Sequence, residues 1–92
     1  MAAAAAPEAA SLFDDGALYD LLMGGIDYGL EFYLNLARKA SGPVLDVCCG
    51  TGRILLPCLQ AGADGDGLDL YPGMLARLQT KALQLNLAPA LY

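Results

Sequence analysis

Residues 44–53, Val-Leu-Asp-Val-Cys-Cys-Gly-Thr-Gly-Arg, constrain the fold of this chain more than any other stretch. Val44 to Cys48 form a short apolar run with β-branched members, entered from Gly42-Pro43 and left through glycines. That is the pattern of a buried strand. Gly50-Thr51-Gly52 reads as a turn, after which Ile54, Leu55, Cys58 and Leu59 fall on one face of a helix. Pro57 should remove one hydrogen bond from that helix and bend it, and Gly62 should end it. A strand, a glycine turn and a helix in succession bring free backbone N–H groups and the positive end of a helix to one spot. Glycine at such a turn lets a ligand come close to the main chain.

The flanking segments extend this unit on both sides. Downstream, Asp66 to Leu70 reads as a second strand, and Pro72 suits the first turn of another helix. Met74, Leu75, Leu78, Ala82 and Leu85 give that helix an apolar stripe. Pro89 breaks it, and Ala90-Leu91-Tyr92 opens a third strand. Upstream, Asp14 or Asp15 can cap a short helix carrying Leu18, Tyr19, Leu21 and Leu22, which Gly24-Gly25 interrupts. Asp27 is placed to cap a second helix through Ala37, closed by Arg38-Lys39 and Gly42-Pro43. The order helix, helix, β, α, β, α, start of β implies parallel pairing and an α/β architecture.

At 92 residues there is room for one small domain at most, with a marginal core. Residues 1–10 read as a low-complexity, frayed tail, and residues 11–92 as one unit without a linker. The alanine run at the start lacks a basic segment and is broken by Pro7 and Glu8, unlike a signal peptide. No uncharged stretch approaches the roughly 20 apolar residues of a spanning helix. A net charge of −5, with Arg38-Lys39 the only basic pair, speaks against a nucleic-acid surface on this segment. Cys48, Cys49 and Cys58 match no zinc-ligand spacing, and no histidine is present. The cysteines read as small buried hydrophobes, reduced in a cytoplasmic setting.

Asp69 ends the second strand seventeen residues after Gly52. A carboxylate beside the glycine turn can accept both hydroxyls of a ribose, each charge-assisted bond contributing about 1.5–3 kcal/mol. Alternatively it is an ordinary loop residue. The ribose reading implies a nucleoside-containing cofactor and does not say which.

Two segments carry a resemblance that does. Val44 to Arg53 is similar to the first motif of class I S-adenosylmethionine-dependent methyltransferases: a hydrophobic strand, an acidic residue, then a glycine-rich turn. Gly67-Leu68-Asp69-Leu70-Tyr71-Pro72-Gly73-Met74-Leu75 resembles their second motif, Gly-x-Asp-x-Ser-Pro-x-Met-Leu. The Tyr19-Asp20 helix and the helix before Pro43 look like the cover helices of small-molecule members. The resemblance implies a Rossmann-like methyltransferase fold, truncated after the second βα unit and preceded by N-terminal helices.

It also implies roles, position by position. Asp46 would sit near the amino group of the methionine moiety, and Gly50 and Gly52 would let the backbone approach the cofactor. Asp69 would bind the ribose hydroxyls, and Leu70 and Met74 would pack on adenine. Tyr19 and Arg53 are candidates for the cofactor carboxylate. Each has a plainer alternative: Asp46 bonding nearby backbone N–H groups, Arg53 solvated, Tyr19 and Met74 in the core. Two positions depart from the pattern. Cys48 stands where the family most often has its first glycine, and Tyr71 replaces a serine cap while offering a ring for adenine.

The function implied is methyl transfer from S-adenosylmethionine to a small-molecule acceptor. A catalytic base and acceptor pocket would then come from elements beyond Tyr92, and this segment alone would be inactive. Two rivals remain. One is a truncated, non-enzymatic remnant. The other is a nicotinamide-dependent oxidoreductase, whose glycine fingerprint fits only partly because Leu55 stands at the third glycine.

Overall fold

A computed structural model describes residues 11–92. The tail expected over residues 1–10 lies outside them. After a 3-10 turn at Leu12–Asp14 come α1 (Gly16–Met23), α2 (Leu30–Lys39), β1 (Val44–Val47), α3 (Leu55–Gln60), β2 (Gly65–Leu68) and α4 (Pro72–Gln84). The element order is the one expected from the sequence.

Local chemistry explains most of the boundaries. Asp14 and Ser11 form a capping box on the 3-10 turn, which leaves Asp15 to cap α1 by accepting from the Leu18 N–H at 3.0 Å. Asp27 does not cap α2. That helix starts two residues later, after Gly29 in the left-handed region, and Asp27 contributes only its carbonyl, to the Leu30 N–H. The sequence signal was real but the Tyr28-Gly29 turn intervenes. Helices α3 and α4 end alike. In each, the residue after the cap has positive φ (Gly62 and Asn86), and the next N–H reaches back to Cys58 or Ala82. Pro57 falls in the first turn of α3, where the bond it omits is the one to the Arg53 carbonyl; its neighbours Leu56 and Cys58 still donate to Gly52 and Ile54.

The strands pair in parallel, Val44 with Gly65 through Val47 with Leu68. β2 begins and ends earlier than the expected Asp66–Leu70 because its glycines are needed on the buried face. A Cβ on Gly65 or Gly67 would press on Val44, Cys49 or Leu55, so the strand lets α3 lie almost in contact with the sheet. The third strand opens as expected. Leu91 bridges Gly67 in parallel, and Tyr92 exchanges bonds with Gly67 and Asp69.

The core lies between this sheet and helices α3 and α4. Cys49, Leu55, Leu56, Leu78 and Ala82 are buried together, with Leu59, Leu75, Leu87 and Leu91 around them. Full burial of Leu55 and Leu78 stabilises the fold by about 1.5–3 kcal/mol each. The opposite sheet face is open: Leu45 and Val47 are exposed, and β1 has a partner on one edge only among the described residues. No helix among them is long and apolar enough to cross a membrane.

Candidate functional site

The parallel register brings the carboxyl ends of β1 and β2 side by side, which is where open α/β sheets place their ligand crevice. Just beyond those ends lie the glycine turn and Asp69. The Asp69 carboxylate accepts from the Gly50 N–H at 2.8 Å and from the Tyr71 N–H at 2.9 Å. One side chain therefore ties the first loop to the residue that precedes α4, while the first turn of that helix has no side-chain cap. Each carboxylate oxygen accepts one of these bonds and keeps capacity for another.

Asp46, half-buried at the end of β1, is in the opposite situation. Burial pushes its carboxyl above the usual aspartate range; the Arg53 charge works against that shift and the Asp69 charge adds to it. No hydrogen bond contributes. A raised folded-state pKa favours the protonated form. Its contribution to stability is present below the unfolded aspartate pKa and lost as pH rises through the folded one. Ionised Asp46 is thus a liability at neutral pH, of the kind that marks functional positions. Asp46→Asn should raise the melting temperature at pH 7. A lower melting temperature at pH 7 would mean that attraction to Arg53 outweighs burial.

The backbone of the turn is unusual at three points. Gly50 and Gly52 have φ of 57° and 92°, and Cys48, exposed, has φ of 62°. The left-handed region costs a non-glycine residue about 1–2 kcal/mol. This is a physical reason for the glycine that the family pattern carries at the Cys48 position. Cys49 is buried against Gly67, and burial, with the Asp46 and Asp69 charges, pushes its thiol up to about 11. It remains a protonated, inert core thiol.

The other expected site residues divide. Tyr19, Gly52 and Arg53 line one cleft, between α1 and the start of α3. Asp46 and Arg53 line another, between α2 and β1, so Arg53 is shared. Its guanidinium donates to the Tyr28 carbonyl at 2.8 Å. Leu70 is 83% exposed at the crevice rim. Met74 is 3% exposed and lies beneath Gly50, supporting the turn from inside rather than offering a surface to adenine. The Tyr71 ring stands 5.1 Å from Phe13, itself beside Tyr19, so it is engaged in an aromatic cluster instead of lying free for a base.

Sequence reasoning missed one constellation. Asp20 accepts from Thr51 Oγ1 at 2.6 Å, Arg77 Nε at 2.9 Å and Lys81 Nζ at 2.8 Å. Burial alone would raise its carboxyl, but the bonds from Lys81, Thr51 and Arg77, with the Lys81 charge, hold it below the usual range. That stabilisation is present above the unfolded aspartate pKa and lost as pH falls through the folded value. The available signals were a lone acid at mid-helix in α1 and two cations four residues apart on α4.

Residues 44–91 match a family model described as a methyltransferase domain. The sequence matches none of the curated proteins. Among solved structures, the CcbJ methyltransferase from Streptomyces caelestis is similar at 32% identity and a TM-score of 0.58, over 70% of this chain and 29% of that one. The magnesium protoporphyrin IX methyltransferase ChlM from Synechocystis PCC 6803, solved with bound S-adenosylhomocysteine, is similar at 25% identity and a TM-score of 0.62, over 83% of this chain and 37% of its own. An S-adenosylmethionine-dependent methyltransferase from Clostridium acetobutylicum ATCC 824 shares the fold, with 23% identity and a TM-score of 0.61, over 83% and 33%. The chain thus spans between 29% and 37% of the length of these three structures.

Proposed function

Because the chain belongs to the methyltransferase-domain family, whose members use S-adenosylmethionine, we propose that it carries the cofactor-binding part of a methyl-transfer site. One observation carries the reading: two acidic side chains at the carboxyl ends of adjacent parallel strands flank a glycine turn with positive φ. Their chemistry fits the cofactor. Asp46, half-buried and without a hydrogen bond shaping its shift, suits an ammonium group. Asp69, held by two backbone donors, presents its remaining lone pairs to a ribose diol. Gly50 and Gly52 keep the turn open to close approach, Leu70 supplies exposed apolar surface at the rim, and Tyr19 and Arg53 stand at the neighbouring cleft.

The cofactor supplies an activated methyl group on a sulfonium, so the protein's share is orientation and exclusion of water. Asp69 and Asp46 would fix the two ends of the cofactor, and the turn between them its depth. The acceptor in this reading is a small molecule. The two helices ahead of the turn and the sparse, acidic charge support it, as does the likeness to ChlM, a magnesium protoporphyrin IX methyltransferase.

Titration calorimetry of the full chain with S-adenosylhomocysteine and with NAD tests the reading. Saturable binding of the first and none of the second is expected. NAD binding alone would overturn it in favour of an oxidoreductase, and binding of neither would favour a non-enzymatic remnant.

A further inference from the structure

Helix α1 is not docked by its leucines. Leu18 is 43%, Leu21 80% and Leu22 63% exposed. Two other contacts hold it. Gly16 is buried where a Cβ would collide with Arg77 and with the Gly73 carbonyl of α4, so the helix backbone lies directly on its neighbour. Four residues on, the Asp20 side chain keeps only 15% exposure and gathers donors from two further elements. Its Oδ1 accepts from Thr51, which is 2% exposed and lies between Gly50 and Gly52, and its Oδ2 accepts from Arg77 and Lys81 of α4.

A helix of eight residues does not persist in water without tertiary support. With its leucines outside, α1 is docked by the close contact at Gly16 and by this carboxylate. The same carboxylate fixes the hydroxyl at the centre of the glycine turn. Tyr19, next in sequence, lines the cleft with Gly52 and Arg53 and must move with the helix.

We propose that Asp20 is a positioning residue: through Thr51, Arg77 and Lys81 it latches α1 over the glycine turn, so that closure of this cap and retention of the cofactor depend on one carboxylate. The cofactor half of this proposal rests on the functional reading above. The latch itself rests on the contacts of Asp20 alone. It assigns to the α1 segment a role in retention that its exposed leucines would not suggest.

Thr51 gives the cleanest test, since Thr51→Val keeps shape and removes the hydroxyl while Thr51→Ser restores it. Amide hydrogen exchange of the full chain without ligand would be followed by NMR at Tyr19 and Gly24, whose N–H groups bond within α1, and at Leu78 and Ala82 of α4. The expected result is at least tenfold faster exchange in α1 for Thr51→Val and for Asp20→Asn. Exchange in α4 should stay within twofold, and Thr51→Ser should behave like the natural chain. Unprotected α1 amides in the natural chain, unchanged α1 exchange in the variants, or equal loss in α1 and α4 would each overturn the latch.

Titration with S-adenosylhomocysteine should give at least fivefold weaker binding for Thr51→Val, recovered in Thr51→Ser. Equal affinities would overturn the role in retention. If the natural chain binds no S-adenosylhomocysteine, the functional reading and the retention claim fall together, while the exchange data judge the docking of α1 independently.

Discussion

Gly52→Ala is expected to lower the melting temperature by more than about 10 °C. Two penalties coincide at this position. With φ at 92°, the backbone lies where an L side chain is strained, at a cost of about 1–3 kcal/mol. The added methyl would stand 2.9 Å from Leu56 Cγ and from Leu78 Cγ, closer than carbon atoms pack. Leu78 is fully buried at the centre of the core and has nowhere to retreat, so overpacking adds about 1–3 kcal/mol. A combined loss near 3 kcal/mol would be a large share of the stability of so small a domain. Thermal unfolding followed by circular dichroism measures it. A melting temperature within about 3 °C of the natural chain would show that the α3–α4 packing yields, contrary to the close contacts at this glycine.

Asp69→Ala is expected to weaken S-adenosylhomocysteine binding by roughly tenfold or more, because a ribose diol would lose both of its charge-assisted partners. The structure adds a second consequence. Read from sequence, this carboxylate looks free to serve a ligand, so its removal should leave folding intact. In the fold it also holds the Gly50 and Tyr71 N–H groups. Their loss of a partner should cost about 1–3 kcal/mol of stability. Calorimetry and thermal unfolding on the same variant separate the two effects. An unchanged dissociation constant would exclude the ribose role, whatever happens to the melting temperature. An unchanged melting temperature with weakened binding would mean that water replaces the lost acceptor at both N–H groups.

The two carboxylates at the crevice therefore carry different burdens. Asp69 strengthens the fold, because its side chain accepts from two backbone N–H groups. Asp46 weakens the fold at neutral pH, because burial opposes its charge. Residues with the same chemistry, at the ends of adjacent strands, are distinguished only by what surrounds them.

The amino-acid sequence by itself determined the order of elements, the strand–glycine turn–helix unit, the proline start of α4 and the opening of a third strand at Leu91. Those features are written in local periodicity, in glycine and proline, and in capping side chains, which act over a few residues. The family match spans residues 44–91, which hold both the strand–glycine turn–helix unit and the proline start of α4. Only the tertiary structure decided the bounds of β2, since two glycines serve its contact with Leu55 and not any strand propensity. It also set Met74, read from sequence as both core and pocket wall, beneath Gly50, and gave the Tyr71 ring to Phe13. The Asp20 cluster belongs to this second class most completely. Its partners Thr51 and Arg77 lie 31 and 57 positions away, and no periodicity along the chain pairs residues so distant. Their meeting required α1 to lie against α4 and the turn, a packing that exists only once the sheet has formed.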